Sequence, residues 1–168
     1  YTSFAWSDVT VSGEGTDRTV SVTVTNTGSR SGSDVVQVYV RPVDASVDRP
    51  LQELKGFAKV HLEPAASATV EVVLDRRSFA TWDVATHGWV VEAGRYEVAV
   101  ARSSADPVEV VAVDVASDDV VTAEAARPRG RAADDAEFAA MLGRPIPVPR
   151  VPSPFDRNST LEDLEATA

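Results

Sequence analysis

Apolar and hydroxylated residues alternate along the first two thirds of the chain. Residues 20–25 read Val-Ser-Val-Thr-Val-Thr, which predicts a strand with one apolar and one hydroxylated face. Residues 35–40 read Val-Val-Gln-Val-Tyr-Val, and a run that is apolar on both faces suits a central strand between two packed layers. Similar runs predict further strands at 54–62, 68–74, 88–91, 95–101 and 108–115.

Turn signals separate these runs. Segments 26–29, 63–66, 92–94 and 103–107 are rich in Asn, Gly, Pro, Ser and Asp, which tolerate or impose turn conformations. No stretch between them has a convincing helical period. Seven or eight short strands with this spacing predict an all-β, immunoglobulin-like sandwich over residues 9–116.

The pattern changes after residue 116. Residues 117–133 are rich in Ala, Asp and Arg and are predicted to be a linker. A short helix should follow, because Asp134 and Glu137 form a capping box and Gly143 stands at the C′ position. The proline-rich run 145–154 is expected to be extended.

The tail has apolar residues but no core of its own. Ser159 begins a second capping box, so residues 134–168 are predicted to hold a helix, a proline-rich strap and a terminal helical turn. The tail is therefore mostly irregular and partly helical. Its large apolar side chains, which need another surface, are Phe138, Met141, Leu142, Ile146 and Phe155.

Composition narrows the possible partners. The 168 residues carry a formal net charge of -10, which argues against nucleic acid and against an anionic membrane, because both need clustered Lys and Arg. No apolar run reaches the ~20 residues of a membrane helix. The chain has no cysteine, which excludes disulfides and thiolate metal sites, and His61 and His87 match no metal motif. We expect no metal and no cofactor.

Several segments, in order, resemble the fibronectin type III-like domain at the C-terminal end of family 3 glycoside hydrolases. The most specific block is Arg-Pro-Leu-Gln-Glu-Leu-Lys-Gly-Phe-Ala-Lys-Val at 49–60, and its first part is termed the 49–57 block. The tail is similar to extensions in some bacterial members. Two departures are Pro64-Ala65-Ala66, where the family often has a Pro-Gly turn, and Ala101, where it often has Gly. The other matching segments are 1–7, 22–28, 32–40 and 79–100.

The resemblance implies an accessory role. Residues 1–8 would be a connector from an upstream domain, and the chain would be a fragment that starts at Tyr1. The parent would hydrolyse O-glycosyl bonds as a β-glucosidase. The family's nucleophilic Asp and acid/base lie in its other domains, so we expect no catalytic residue here. The partners implied are the upstream catalytic domains, with a homo-oligomer as an option and sugar contact only through the parent.

The block at 49–57 supplies most of the candidate residues for an interface with the parent's other domains. The loop 42–53 runs into the strand that follows it, and we expect this loop to lend residues to the active-site rim. The compartment is not determined, with the cytoplasm slightly favoured. The interface candidates are Trp6, Arg49, Pro50, Leu51, Glu53, Leu54, Lys55, Gly56, Phe57, Phe138, Leu142 and Phe155.

Two other functions compete with this one. The aromatic residues Trp6, Trp82, Trp89, Tyr39 and Tyr96 could form the platform of an independent carbohydrate-binding module. We favour packing of Trp82, Trp89 and Tyr96 in the sandwich core, as buried aromatics usually do. A structural spacer or adhesion domain is the other alternative, but it would not explain the 49–57 block.

Overall fold

The computed structural model describes residues 2–47, 49–122 and 134–147. Within them the chain forms nine strands and two helices. In chain order these are β1 Phe4–Glu14, β2 Asp17–Asn26, β3 Gly32–Pro42, β4 Glu53–Leu62, β5 Ser67–Leu74, α1 Arg76–Phe79, β6 Thr81–Asp83, β7 Gly88–Val90, β8 Gly94–Ser103, β9 Asp106–Val115 and α2 Asp135–Leu142.

The strands form two main sheets and a separate hairpin. One sheet has the order β1-β2-β5 and the other β4-β3-β8-β9, while β6 pairs only with β7. All pairings are antiparallel. Three strands packed on four is a β-sandwich arrangement, so the predicted all-β sandwich is confirmed.

Alternating valines build the core between the two sheets. Val20, Val22 and Val24 of β2 are buried, as the alternation in 20–25 predicts. Val36 and Val38 of β3 join the same cluster from the opposite sheet. Burial of each such side chain contributes about 1.5–3 kcal/mol, so this interlayer packing is the main source of stability.

Tyr96 forms a tyrosine corner at the start of β8. Its ring is buried and meets Phe79 edge-on, with ring centroids 5.3 Å apart. Its hydroxyl donates to the carbonyl of Glu92 at 2.8 Å. A tyrosine that bonds back to the backbone a few residues upstream is a hallmark of immunoglobulin-type sandwiches. The expected burial of Tyr96 is therefore confirmed.

Several local features differ from the sequence prediction. The first strand already begins at Phe4, so the segment 1–8, predicted to be a connector, lies largely within β1. A register irregularity follows Ser7, where Asp8 has a φ of 53°. The sequence pattern does not predict the one-turn helix α1, because a single turn is too short to display a helical period. Its signal is the capping box between Asp75 and Ser78.

The chain divides into two units, Tyr1–Arg129 and Gly130–Ala168. In the second unit, Asp134 accepts a hydrogen bond from the Glu137 backbone, and Gly143 closes α2 in the left-handed conformation. These are the caps that the sequence predicts. The predicted helical turn at Ser159 and the strap residue Phe155 lie outside the described residues. No helix in the described part is long and apolar enough to cross a membrane.

Candidate functional site

The outer face of the three-stranded sheet presents mostly hydroxyl groups, together with Glu71 and the exposed Val73. Thr23 pairs with Thr69 across β2 and β5, with their hydroxyls 3.2 Å apart. Thr25 and Ser67 make the same kind of bond at 2.7 Å. Cross-strand hydroxyl pairs of this type suit a face that remains in water.

The outer face of the four-stranded sheet carries an apolar patch, beside Gln37 and the ion pair of Arg41 with Glu97. Tyr39 lies opposite Ala99, and these two residues form a small buried cluster with Ala101. Val110 of β9 lies opposite Ala99 and is 40% exposed. Because Val36, Val38 and Val40 of β3 face the core, Tyr39 must point to the outside of the sandwich.

A β-bulge in β4 adds two large residues to this face. Leu54 lies opposite Tyr39, whereas Gly56 lies opposite Val38 and Phe57 opposite Gln37. The extra residue therefore places Leu54 and Phe57 on one side of the sheet although they are three positions apart. They are 49% and 68% exposed. We define the outer apolar face by Tyr39, Leu54, Phe57, Ala99, Ala101 and Val110.

Gly56 serves the sandwich rather than an external partner. A Cβ atom at this position would lie 2.4 Å from Cγ1 of Val72 on β5. The side chain of Val72 therefore fills the space that a β4 side chain would occupy at this position. Of the predicted interface residues, Gly56 faces inward.

Arg49 anchors the loop that joins β3 to β4. Its side chain is 2% exposed and donates to the carbonyl of Phe79 at 3.2 Å and to Oε2 of Glu53 at 3.0 Å. Val47, two positions before Arg49 in the chain, is also buried. In contrast, Pro50 is exposed and Leu51 is 88% exposed. The loop thus has a fixed base and an apolar tip.

Glu53 connects this anchor to the start of β4. It also accepts a hydrogen bond from Lys55 Nζ at 3.2 Å. Burial alone would raise the pKa of the Glu53 carboxyl, but hydrogen bonds from Arg49 and Lys55 lower that pKa below its ordinary value. The carboxylate is held ionised between two cations, which fixes the approach to Leu54.

The other predicted interface residues lie elsewhere. Trp6 lies opposite Val24 on the three-stranded sheet, packs partly against the core and donates to Asp34 Oδ2 at 2.7 Å. Phe138 and Leu142 belong to α2 in the second unit and are exposed. Of the predicted interface residues within the described part of the chain, Leu54 and Phe57 are the two large apolar side chains that lie together on one face. Glu53 and Lys55 lie next to them on the same strand.

Trp82 and Trp89 are not core residues, which corrects the sequence prediction. They face each other across the β6–β7 hairpin, with ring centroids 5.3 Å apart in an edge-to-face arrangement. They are 46% and 38% exposed. The guanidinium of Arg77 lies 3.4 Å from the centre of the Trp89 ring. The hairpin is a sheet of its own, not paired with either main sheet.

Asp83 fixes this hairpin from inside. It is fully buried, and its Oδ1 accepts hydrogen bonds from the backbone of Ala85 at 2.9 Å and from the Thr122 hydroxyl at 3.3 Å. Burial alone would raise the pKa of the Asp83 carboxyl, but these bonds and those from the Thr86 and Thr122 amides lower it below its ordinary value. Residues up to Thr122, predicted to begin a linker, are thereby attached to the hairpin.

We expect Asp83 to make stability depend on acid pH. Because the pKa of the Asp83 carboxyl is lowered in the folded chain, the carboxylate stabilises the fold above the unfolded pKa and loses this effect as pH falls through the folded pKa. The melting temperature of Asp83→Asn should therefore lie below wild type at pH 7, with the gap narrowing below about pH 4. A gap that stays constant from pH 7 to pH 3 would contradict this expectation.

The comparisons with known proteins agree with this architecture. Residues 34–104 match the model of the fibronectin type III-like domain. The chain is 44% identical over 119 residues to an exo-α-(1→6)-L-arabinopyranosidase of Bifidobacterium breve, covering 70% of this chain and 16% of that enzyme. It is 42% identical over 110 residues to thermostable β-glucosidase B of Acetivibrio thermocellus, covering 63% of this chain and 15% of that enzyme.

Solved structures give the same result. The crystal structure of the GH3 β-glucosidase of Bifidobacterium adolescentis matches with a TM-score of 0.68 and 40% identity, over 83% of this chain and 20% of that one. A β-glucosidase of Kluyveromyces marxianus, crystallised with glucose, matches with a TM-score of 0.65 and 39% identity, over 70% and 14% of the two chains.

The chain thus spans about a sixth of the length of the first relatives, which carry this domain within a longer enzyme. Both the order of the strands and the identity to these enzymes point to one assignment, which the 49–57 block had indicated. The chain carries a fibronectin type III-like domain of the kind found in family 3 glycoside hydrolases.

Proposed function

We propose that this chain is a non-catalytic accessory domain that docks onto the catalytic domains of a β-glucosidase through its outer apolar face. The observation that carries the proposal is the difference between the two outer sides of one sandwich. One side presents paired hydroxyls such as Thr23 and Thr69, and the other exposes Leu54 and Phe57.

This difference has a physical meaning. A large apolar side chain that stays in water contributes no hydrophobic free energy. If a partner buries it, each Å² of buried apolar surface contributes roughly 25 cal/mol of stabilising free energy. Contiguous apolar patches on a folded domain therefore mark surfaces that another chain or domain covers. Aromatic residues are enriched at the centre of such interfaces, and Phe57 is the most exposed aromatic among the described residues.

The neighbouring charges favour a fixed geometry. Lys55 and Arg49 hold the Glu53 carboxylate, so the strand that presents Leu54 needs no reordering when a partner arrives. An interface built on an ordered strand loses less conformational entropy on docking. In the same way, the anchored loop would carry its apolar tip, Leu51, to the rim of the parent's active site.

The proposed parent activity is hydrolysis of β-glucosides. Its support is the printed activity of the longer relatives, several of which are β-glucosidases. Catalysis would be performed by the other domains of the parent. We also propose that the tail from 134 to 168 lies as a strap on the parent, where Phe138, Leu142 and Phe155 would be covered. A spacer domain would need no apolar face, so this face favours the docking function.

The test is Phe57→Glu in the full-length parent enzyme. A buried charge at an interface centre should loosen the domain by about 2 kcal/mol or more, so the enzyme should lose aryl β-glucosidase activity at a lower temperature. Limited proteolysis should also cut more readily before β1. The same substitution in the isolated chain should change its stability by only ~0.5 kcal/mol, because Phe57 is exposed there.

Thr23→Glu is the matched control. It places the same charge on the hydroxylated face and should leave the inactivation temperature of the parent unchanged. Equal loss from Phe57→Glu and Thr23→Glu would contradict docking through the outer apolar face. A full-length parent that hydrolyses no aryl β-glucoside would contradict the proposed activity.

A further inference from the structure

The β6–β7 hairpin presents two tryptophans that the sandwich does not need for its core. Trp82 and Trp89 are each about half exposed, although indole rings are the side chains that gain most from burial. Neither ring belongs to the buried core cluster. A pair of indoles held at a surface therefore requires an explanation other than packing.

We propose that this hairpin is a binding site for a pyranose ring of a β-linked glucose oligosaccharide, stacked on Trp82 and held at its rim by Arg77. The choice of β-linked glucose rests on the proposed function. The site would be a contact for the sugar on this domain itself, formed by other residues than the outer apolar face.

The geometry assigns different roles to the two rings. The guanidinium of Arg77 covers one face of Trp89 at 3.4 Å from the ring centre. Trp82 meets Trp89 edge-to-face and is the more exposed of the two. Trp82 therefore offers the accessible indole surface, and Trp89 supports it from the side.

The chemistry of this surface suits a sugar. The faces of a β-linked glucose ring carry only C–H groups, because all its ring substituents are equatorial, while its hydroxyls lie around the rim. An indole supplies a flat apolar surface for the ring face. The guanidinium of Arg77 has donors that are not used up by a cation–π contact and can bond to hydroxyls at the rim.

The hairpin is held rigidly enough to act as a platform. Asp83 is buried beneath the turn and accepts the amide of Ala85 at 2.9 Å. Arg76 donates to the carbonyl of Trp89 at 3.4 Å and pairs with Asp119, which itself accepts the amide of Val91 at 2.7 Å. A site fixed by such supporting bonds loses little entropy on binding.

The size of the patch favours a sugar over a protein. A Trp side chain can bury 150–250 Å², so two half-exposed indoles offer on the order of 200 Å². A stable protein interface needs about 800 Å² on each partner. The patch matches one or two sugar rings and falls well short of a protein surface.

The test uses the whole 168-residue chain with cellohexaose and laminarihexaose as probes. The chain has three tryptophans and therefore three indole N–H signals in a ¹H–¹⁵N NMR spectrum. We expect saturable shifts of the Trp82 and Trp89 signals and none of the Trp6 signal. Absence of saturable shifts with both probes, or shifts confined to Trp6, would overturn the proposal.

Calorimetric titration of Trp82→Ala completes the experiment. Loss of one stacking contact should weaken binding about three- to tenfold, whereas Val73→Ala, which removes an exposed apolar side chain from β5, should leave the affinity unchanged. Equal affinities of Trp82→Ala and wild type would overturn the proposal. A Trp82→Ala variant that binds the probes normally, but makes the full-length parent lose activity at a lower temperature, would also overturn it. Trp82 would then be a contact with another domain and not with a sugar. Failure here leaves the Phe57 test of the proposed function unaffected.

Discussion

Replacement of Tyr96 by Ala is expected to destabilise the domain by about 3–5 kcal/mol, as for other buried aromatic residues. Tyr96 is 1% exposed and packs edge-on against Phe79. Its truncation would leave a cavity between α1 and β8 and remove the hydroxyl from the Glu92 carbonyl. Urea unfolding of the isolated chain, followed by circular dichroism, measures the change.

Tyr96→Phe separates the hydroxyl from the ring. It keeps the packing against Phe79 and should cost only about 0.5–1.5 kcal/mol, the usual net value of one hydrogen bond. If Tyr96→Phe were as destabilising as Tyr96→Ala, the corner bond rather than ring burial would dominate. If Tyr96→Ala were as stable as wild type, the assignment of Tyr96 to the core would be wrong.

Gly56→Ala is expected to destabilise the domain by about 1–3 kcal/mol, the range typical of an overpacked core. The new Cβ would meet Cγ1 of Val72 at 2.4 Å, a distance that no side-chain rotation at position 56 can relieve. The two sheets would have to move apart or Val72 would have to leave its rotamer. Thermal unfolding of the isolated chain measures the loss.

A second substitution isolates the steric cause. Val72→Ala removes the methyl groups that the new Cβ would meet, so the double variant Gly56→Ala/Val72→Ala should lose less stability than the sum of the two single variants. Gly88→Ala is the matched control, because a Cβ there would approach nothing closer than 3.7 Å. Strict additivity at 56 and 72 would contradict the steric explanation.

Residues of the 49–57 block face both the interior of the sandwich and the solvent. Gly56 faces the core, and Arg49 is buried against the carbonyl of Phe79. Leu54 and Phe57, by contrast, are exposed. The block therefore combines residues that hold the sandwich together with residues that remain free for a partner, which explains why it is the most specific stretch of the sequence.

The sequence by itself determined the all-β class, most of the strands and the resemblance to the family. The alternation of Val with Ser and Thr in 20–25 specifies which face of β2 is buried, since side chains alternate across a strand. The capping boxes at Asp134 and Asp75 are equally local, because both partners lie within one helical turn. The resemblance of 49–57 to family 3 hydrolases likewise needs no coordinates.

Only the tertiary structure decided where the exposed surfaces lie. Leu54 and Phe57 share a face because a bulge opposite Val38 shifts the register, and a pattern of period two cannot reveal the inserted residue. Trp82 and Trp89 resemble core residues in sequence, yet they lie on a separate two-stranded hairpin and remain 46% and 38% exposed. Burial depends on which layers meet, and that is set by pairings between residues distant in the chain.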